Sequence, residues 1–130
     1  MCIKRAADAI AFYRDALGAT EVSRIVAPDG RVSHAEIRIG GVALYLADEF
    51  PEIDVVSPRT LGGSPVLLHL TVLNVDELAG RAIAAGMTVL RPLANQDYGY
   101  HNCKLADPFG HNWMLSSPIN DAAPATGTAD

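Results

Sequence analysis

Histidine and glutamate side chains stand in this sequence at spacings that could bind a ligand or share a proton. His34 and Glu36 lie two positions apart in "RVSHAEIRIGG", so a strand would place both side chains on one face. His69 lies in a second apolar run, "VLLHLTV". Such side chains bind divalent metals and also hydrogen-bond organic ligands. The alternatives are a solvated or dimer-facing strand edge for His34 and Glu36, and a hydrogen-bonded histidine inside a cavity for His69.

Aromatic residues form the second kind of candidate. Tyr98 and Tyr100 flank Gly99 in "QDYGYHN", and rings on a loop over a cavity are well suited to stack on a flat ligand. The alternative is a loop held in place by its own aromatic packing. His101, beside them, is expected to be structural.

The stretch "LADPFGHNWML", residues 105–115, combines a tight-turn signal with a histidine and the only tryptophan. Asp107 and Gly110 favour a turn between two strands, and Trp113 is expected in the core. His111 falls at the turn, so we do not expect it to bind a ligand. Cys103 falls on a core face with no evident activating base, so neither a Cys/His nor a Ser/His/Asp arrangement is predicted.

An internal repeat indicates the elements that position these residues. "DAIAFYRDALGATEV", from Asp8, and "DELAGRAIAAGMTVL", from Asp76, each have a glycine ten positions after the aspartate. Each segment predicts a helix capped by the aspartate and ended by the glycine. A hairpin pattern follows in both halves. The sequence therefore predicts an α+β domain at 1–118 made of two βαβββ modules, 1–47 and 65–118, joined by a linker at 48–64, with a poorly ordered tail at 119–130.

Strand alternation sorts the side chains of the hairpins into two faces. One face of each hairpin is apolar and is expected to pack on the helices. It comprises Ala35, Ile37, Ile39, Val42, Leu44 and Leu46 in the first half, and Cys103, Leu105, Trp113 and Leu115 in the second. The fifth strand is expected to add Val66, Leu68, Leu70 and Val72. The candidate ligand-binding residues lie on the opposite faces or in the adjoining loop: His34, Glu36, Tyr45, His69, Tyr98, Tyr100, Asn102 and Met114.

The paired modules, with "FYRDALGA", "HAEIRIGGVALYLADE" and "DPFGHNWML", resemble the glyoxalase/bleomycin-resistance group, or vicinal oxygen chelate superfamily, and most closely its PhnB-like branch. The resemblance covers about residues 2–117. It implies a curved, open, eight-stranded mixed sheet, a half-barrel, with the helices on its outer face. It also implies a homodimer, because dimers of the family often build cavities at the subunit interface. Members include metal-dependent lyases, isomerases and dioxygenases, and also metal-free proteins that bind antibiotics.

The resemblance also implies where a metal would bind, namely at one position in the first and one in the last strand of each module. Carried over to this chain, these positions are Met1, Tyr45, His69 (or Leu67 on the same face) and Met114. Only His69 is a suitable ligand, so we expect no metal and no cofactor. A non-standard metal site formed by His34, Glu36 and His69 stays open as an alternative.

Charge and composition restrict the partners. Ten basic against fifteen acidic residues give a net charge of −5, which argues against nucleic acid or an anionic membrane and favours a neutral or cationic, partly aromatic small molecule. No apolar run is long enough to span a bilayer, and no signal-peptide pattern is found at the N-terminus. Cys2 and Cys103 lack metal-type spacing, and two free thiols in the cytoplasm are the simpler interpretation, although a bridge stays open.

These observations favour one function and leave others open. The leading prediction is a metal-free protein that binds an antibiotic or related secondary metabolite, acting by sequestration or as an accessory in resistance or biosynthesis. The alternative is a divalent-metal-dependent lyase, isomerase or dioxygenase that uses His69 with Glu36 and His34. A third possibility is an accessory protein that docks on a biosynthetic enzyme.

Overall fold

The computed structural model describes residues 1–119, which contain eight strands, three α-helices and a one-turn 3-10 helix at Pro51–Ile53. The helices are α1 (Ala6–Leu17), α2 (Pro58–Leu61) and α3 (Val75–Ala85). The strands are β1 (Cys2–Ile3), β2 (Thr20–Val26), β3 (Val32–Ile39), β4 (Val42–Asp48), β5 (Leu67–Thr71), β6 (Thr88–Asn95), β7 (Tyr100–Ala106) and β8 (Asn112–Pro118). The order β-α-β-β-β thus occurs twice, as the repeat predicts. Apart from Ile119, the tail predicted at 119–130 lies outside the described residues.

The strands form two mixed sheets of four, in the orders β1-β4-β3-β2 and β5-β8-β7-β6. In each sheet the first strand of the module runs parallel to the last, and the remaining neighbours are antiparallel. Both sheets are open, which confirms the α+β class. Within the described residues no strand of one sheet pairs with a strand of the other, so the eight strands are divided between two sheets by hydrogen bonding.

The helices end where predicted but begin earlier. Gly18 and Gly86 follow the last helical residues at positive φ, as glycine permits. Asp8 and Asp76 were expected as N-caps and instead lie in the first turn. The amides at the helix starts donate to side chains at the ends of distant strands. Asp48 Oδ1 accepts from the Ala6 amide at 2.8 Å, and Ser117 Oγ accepts from the Val75 amide at 2.9 Å.

The core lies between the helices and one face of each sheet. Ala35, Ile37 and Ile39 are fully buried on β3, and Cys103, Leu105, Trp113 and Leu115 are fully buried on β7 and β8, as the alternation predicts. The prediction is wrong at Val42 and Val66, which are about half exposed because Val42 is the first residue of β4 and Val66 precedes β5. Leu44, Leu68 and Val72 are partly buried against the core.

The modules meet at the packed helices α1 and α3. Arg81 of α3 donates to the main-chain oxygens of Arg14 and Asp15 in the last turn of α1. Such oxygens lack intrahelical partners, so a guanidinium is well suited to bind them. No helix within residues 1–119 is long and apolar enough to cross a membrane.

Candidate functional site

The face of the first sheet that points away from the core carries three of the predicted residues. We call this the first-module face; it comprises His34, Glu36, Arg38, Ala43, Tyr45 and Ala47. Tyr45 lies directly opposite Glu36 across β3 and β4, and its side chain is 57% exposed. The His34 and Tyr45 rings are stacked with centroids 5.4 Å apart. Glu36 forms an ion pair of 3.2 Å with exposed Arg38. The face therefore offers an exposed aromatic surface beside a carboxylate.

The corresponding face of the second sheet has different chemistry. We call this the second-module face; it comprises His69, Thr71, Arg91, Asn102, Lys104, Met114 and Ser116. His69 lies opposite Met114, which in turn lies opposite Lys104, so these side chains form a row across the sheet. Arg91 continues the row from the edge strand β6.

The two faces are structurally equivalent. β2 and β6 both start two residues after the glycine that ends the preceding helix, and each has a bulge near its start. When the modules are aligned on these features, positions of the two faces coincide. The coinciding pairs are His34 with Asn102, Glu36 with Lys104, Tyr45 with Met114, and Ala47 with Ser116. The two modules therefore share a backbone arrangement. Acidic and aromatic side chains on the first-module face are replaced by cationic and apolar ones on the second-module face.

Asn102 was predicted to offer its amide to a ligand, and the structure shows that both ends of the amide already have protein partners. Its Oδ1 accepts from Arg91 Nη2 at 2.5 Å, and its Nδ2 donates to Tyr98 Oη at 2.9 Å. Asn102 is fully buried. It therefore holds Arg91 and Tyr98 in place. Arg91 was missed from the sequence because a bulge in β6 between Val89 and Arg91 changes the alternation there.

Tyr98 lies just before β7 and Tyr100 is its first residue; their ring centroids are 6.2 Å apart and their planes are tilted by 37°. Tyr98 is 55% exposed, whereas Tyr100 is partly buried. His101 bonds Asn95 and Asp76 through its two ring nitrogens, which agrees with a structural role. Both the ligand-stacking and the loop-packing interpretations of Tyr98 are compatible with its hydrogen bond to Asn102.

The metal positions implied by the family do not fit a metal. Cys2 of β1 lies opposite Ala47, and Thr71 of β5 lies opposite Ser116. Cys2 is therefore equivalent to Thr71, and Met1 to Leu70. The expected equivalence of Met1 with His69 was wrong by one residue, because the strand pairing relates β1 to β5 by 69 residues, whereas the aspartates and glycines of the two helices are 68 residues apart.

The other two family positions, Tyr45 and Met114, offer no suitable donor. Across residues 1–119 no three His, Cys, Asp or Glu side chains are grouped closely enough to hold a metal. The non-standard set of His34, Glu36 and His69 is not such a group in these residues; His34 and Glu36 lie on the first sheet and His69 on the second.

A groove of about 430 Å³ lies at the junction of the modules, away from both faces. Most of its lining is apolar, with Pro58 and Leu61 of α2 on one side and Val66 and Leu68 at the start of β5. None of the candidate ligand-binding residues lines this groove. His111 does line it, but its Nε2 lies 3.1 Å from the Cys2 main-chain oxygen, so it links the two modules.

Asp107, in the turn between β7 and β8, is the buried centre of the module contact. Its Oδ1 accepts from the Phe109 and His111 amides, and its Oδ2 accepts from Trp113 Nε1 at 2.9 Å and from Tyr13 Oη at 2.5 Å. Burial, together with the neighbouring carboxylate, raises the pKa of Tyr13 far above its ordinary value. The stretch 105–115 is therefore a structural junction.

Neither cysteine is set up as a nucleophile. Both are free thiols. Burial is the main cause that raises the pKa of Cys2 and of Cys103, so the reactive thiolate is disfavoured at both.

Several known proteins are similar to the chain. An uncharacterized protein of Mycobacterium bovis is 41% identical over 124 residues, which cover 93% of this chain and 82% of that protein. An uncharacterized protein of Mycobacterium tuberculosis has the same identity, with 73% of its length covered.

Solved structures show the same fold at low identity. TioX from Micromonospora sp. ML1 has a TM-score of 0.73 at 22% identity, with 92% of this chain and 94% of TioX covered. The fosfomycin resistance protein FosX from Listeria monocytogenes has a TM-score of 0.69 at 14% identity, with 92% and 90% covered.

Residues 1–115 match a single family, so that nearly the whole of both modules is accounted for. This agrees with the paired βαβββ modules, the shared bulges and the two open sheets. The chain belongs to the Glyoxalase/Bleomycin resistance protein/Dioxygenase superfamily.

Proposed function

We propose that the chain is a metal-free protein that binds a small molecule and acts by sequestration or as an accessory in resistance or biosynthesis. The observation that carries the proposal is the first-module face, where the exposed ring of Tyr45 is stacked on His34 beside Glu36. An exposed aromatic ring next to a carboxylate suits a flat ligand that is neutral or cationic. The bleomycin-resistance members of the superfamily support an antibiotic or a related secondary metabolite as the ligand class.

Sequestration requires affinity and no chemical step. Burying one face of a flat ligand on Tyr45 would supply apolar burial at about 25 cal/mol per Å², and Glu36 would orient a polar or cationic group. His69, Tyr98, Tyr100 and Met114, which lie on or beside the second-module face, are proposed as further contacts with a different part of the ligand. Asn102 is proposed to act indirectly, by holding Arg91 and Tyr98 in place.

The test is a binding measurement on ring-deletion variants. Bleomycin and a panel of planar cationic antibiotics are screened by thermal shift, and the compound with the largest shift is titrated by calorimetry. We expect Tyr45→Ala to weaken binding about tenfold or more, since a well-placed aromatic contact contributes about 1–3 kcal/mol. Tyr98→Ala is expected to have a similar effect. Tyr45→Phe keeps the ring and should keep most of the affinity.

Equal affinity for wild type, Tyr45→Ala and Tyr98→Ala would contradict the proposed surface. Circular dichroism of each variant shows whether the fold is kept. Because Tyr45 is largely exposed, its replacement should leave thermal stability almost unchanged.

The alternative is a divalent-metal-dependent lyase, isomerase or dioxygenase. Elemental analysis of protein purified without chelator separates the two functions. The proposed function expects no stoichiometric metal, because only His69 is a suitable donor among the family positions. One equivalent of tightly bound Zn, Ni, Fe or Mn would contradict it.

We further propose that the chain is a cytoplasmic homodimer. The cytoplasm is supported by the two free thiols. The dimer is supported by the two edge strands β2 and β6, which present exposed apolar side chains: Val22, Ile25, Val26, Val89 and Leu90. Such edges are commonly covered by a partner.

A further inference from the structure

The second-module face carries two cations without a carboxylate partner. Arg91 and Lys104 lie directly opposite each other on β6 and β7. No Asp or Glu within residues 1–119 forms an ion pair with either of them. Directly opposed like charges destabilise a sheet, and they do so more strongly when they are partly shielded from water. The positive charge is local, since the chain as a whole has a net charge of −5. A bound anion would relieve the repulsion between Arg91 and Lys104.

A buried donor of Arg91 has no acceptor. Arg91 Nε is inaccessible to solvent and makes no hydrogen bond among the described residues. Its Nη2 is held by Asn102 Oδ1, and Asn102 is in turn held by the Tyr98 hydroxyl. A guanidinium group can only donate, so the missing partner of Nε must be an acceptor.

A second unsatisfied group lies next to this network. Ser116 is 1% exposed, and its Oγ has no hydrogen-bond partner in residues 1–119. Ser116 lies directly opposite Asn102 across β7 and β8. Buried polar groups are rarely left unpaired in native proteins, so two on one face indicate a partner that both could bind. A water molecule could satisfy the hydrogen bonds but would leave the two charges uncompensated.

We propose that the second-module face binds an oxyanion, namely the carboxylate, phosphonate or phosphate group of a small molecule, through Arg91, Lys104 and Ser116. The guanidinium fork matches the geometry of two acceptor oxygens, Lys104 adds a point charge, and the Ser116 hydroxyl donates a further bond. The inference rests on the proposed function only in treating this face as a ligand-binding surface. The oxyanion preference is opposite in sign to that of the first-module face and to the neutral or cationic preference expected from the net charge of the chain.

The experiment is a titration of the full, ¹⁵N-labelled chain followed by NMR. The probes share an aromatic ring and differ in charge: benzoate and phenylphosphonate against benzamide and benzylamine, with inorganic phosphate added as the bare oxyanion. A buried Arg91 Nε–H exchanges slowly with water, so its resonance should be observable. We expect the anions to shift this resonance and the Ser116 amide saturably, and the two other aromatic probes to leave both unchanged.

Variants assign the effect to the proposed residues. Arg91→Gln should weaken phenylphosphonate binding about tenfold or more, because charge-assisted bonds to oxyanions are lost. Ser116→Ala should weaken it by a smaller factor and keep the fold. Arg24→Gln is the matched control, since Arg24 lies on the equivalent edge strand β2 and pairs with Glu21. It should leave binding unchanged.

The outcomes separate the sources of the anion. Inorganic phosphate that binds as tightly as phenylphosphonate would support a site for the free anion, and tighter binding of phenylphosphonate would support an acidic group carried by an organic ligand. The inference is overturned if benzamide or benzylamine binds this face as well as benzoate, if no anion binds, or if Arg91→Gln and Arg24→Gln bind phenylphosphonate equally. Neither of the last two results would touch the proposed function, which the Tyr45 variants test on the other sheet.

Discussion

At the scale of single residues, the buried carboxylate of Asp107 links the two modules by hydrogen bonds. Its carboxylate is buried and accepts four hydrogen bonds, two from amides of its own turn and two from the side chains of Trp113 and Tyr13. Three of the donors belong to the second module and the fourth to the first. The Tyr13 ring also packs edge-on against Trp113, with centroids 5.5 Å apart. Contacts of this kind couple the stability of one module to that of the other.

Tyr13→Phe tests this coupling and carries a pH signature. The loss of a hydrogen bond to a buried carboxylate should reduce the free energy of unfolding by about 1.5–3 kcal/mol at pH 7. Because the folded-state pKa of Tyr13 is raised, its stabilisation is fully present below the ordinary value near 10 and is lost as pH rises above it. The wild type should then lose about 1.4 kcal/mol per pH unit from this tyrosine above pH 10. In Tyr13→Phe this contribution to the slope is absent.

Urea unfolding at pH 7 and at several pH values between 9 and 11 measures both effects. Tyr45→Phe is the control, since it removes a hydroxyl from an exposed ring and should change the free energy of unfolding by less than about 0.5 kcal/mol. Equal alkaline slopes for wild type and Tyr13→Phe would show that the Tyr13 hydroxyl is not held by Asp107.

The sequence alone predicted which face most strand residues occupy, and it did so because a strand has a fixed period of two. It placed Glu36 and Tyr45 on one face and Trp113 in the core, and the structure agrees. It did not predict Arg91, because a bulge shifts the period by one residue without any marker in the sequence. It also did not predict that Asn102 has protein partners on both ends of its amide, since these come from other strands and loops.

At the scale of elements, the short linker helix α2 is held against the turn between β7 and β8. Ser57 caps α2 through its side chain, and Pro58 is buried. Arg59 donates to the Pro108 main-chain oxygen across the contact. Gly110, at φ +95°, lies so close that a Cβ there would be 2.9 Å from Pro58 Cβ. The turn therefore needs glycine both for its backbone conformation and for the close approach of α2.

Gly110→Ala separates these two requirements when it is compared with Gly30→Ala. Gly30 has nearly the same φ, +93°, but a Cβ there meets nothing within 4 Å. The positive φ alone should cost about 1–2 kcal/mol of unfolding free energy in each variant. Gly110→Ala should cost at least about 1 kcal/mol more, because α2 must move. Chemical unfolding of both variants gives the difference, and equal losses would show that α2 yields freely.

The element boundaries illustrate where sequence reasoning stops. The helix ends at Gly18 and Gly86 were predictable, because the glycine at the end of a helix is a local signal. The start of α3 has a local signal, because Asn74 is an N-cap whose side chain accepts from the Glu77 amide, whereas the Ala6 and Val75 amides donate to Asp48 and Ser117 at the far ends of the modules. Local capping rules cannot include a partner that is about forty positions away in the sequence.

At the scale of the whole molecule, the two modules share a backbone and differ in the chemistry of their faces. Glu36 on one face is replaced by Lys104 on the other, and Tyr45 by Met114. The net charge of −5 is a sum over the whole chain and does not show how the charges are divided between the faces. Composition therefore predicted a neutral or cationic ligand and did not indicate a cationic face. The fold class could be predicted from the repeat alone. The charge of each face could be assigned only from the strand register, which pairs Arg91 with Lys104.

The arrangement of edges gives a prediction about assembly. Ile25 on β2 and Leu90 on β6 are 59% and 50% exposed on edge strands, where the main chain also lacks a neighbour. If a second copy covers these edges, light scattering at micromolar concentration should give twice the chain mass of 13.8 kDa. Ile25→Asp or Leu90→Asp should shift the population towards monomer, because a charge in an apolar interface must be desolvated. Ile53→Asp is the matched control, since Ile53 is 68% exposed but lies in the linker, outside both edge strands. A wild-type monomer at high micromolar concentration, or dissociation by the linker variant alone, would contradict an edge-mediated dimer and would leave the two ligand faces to act separately.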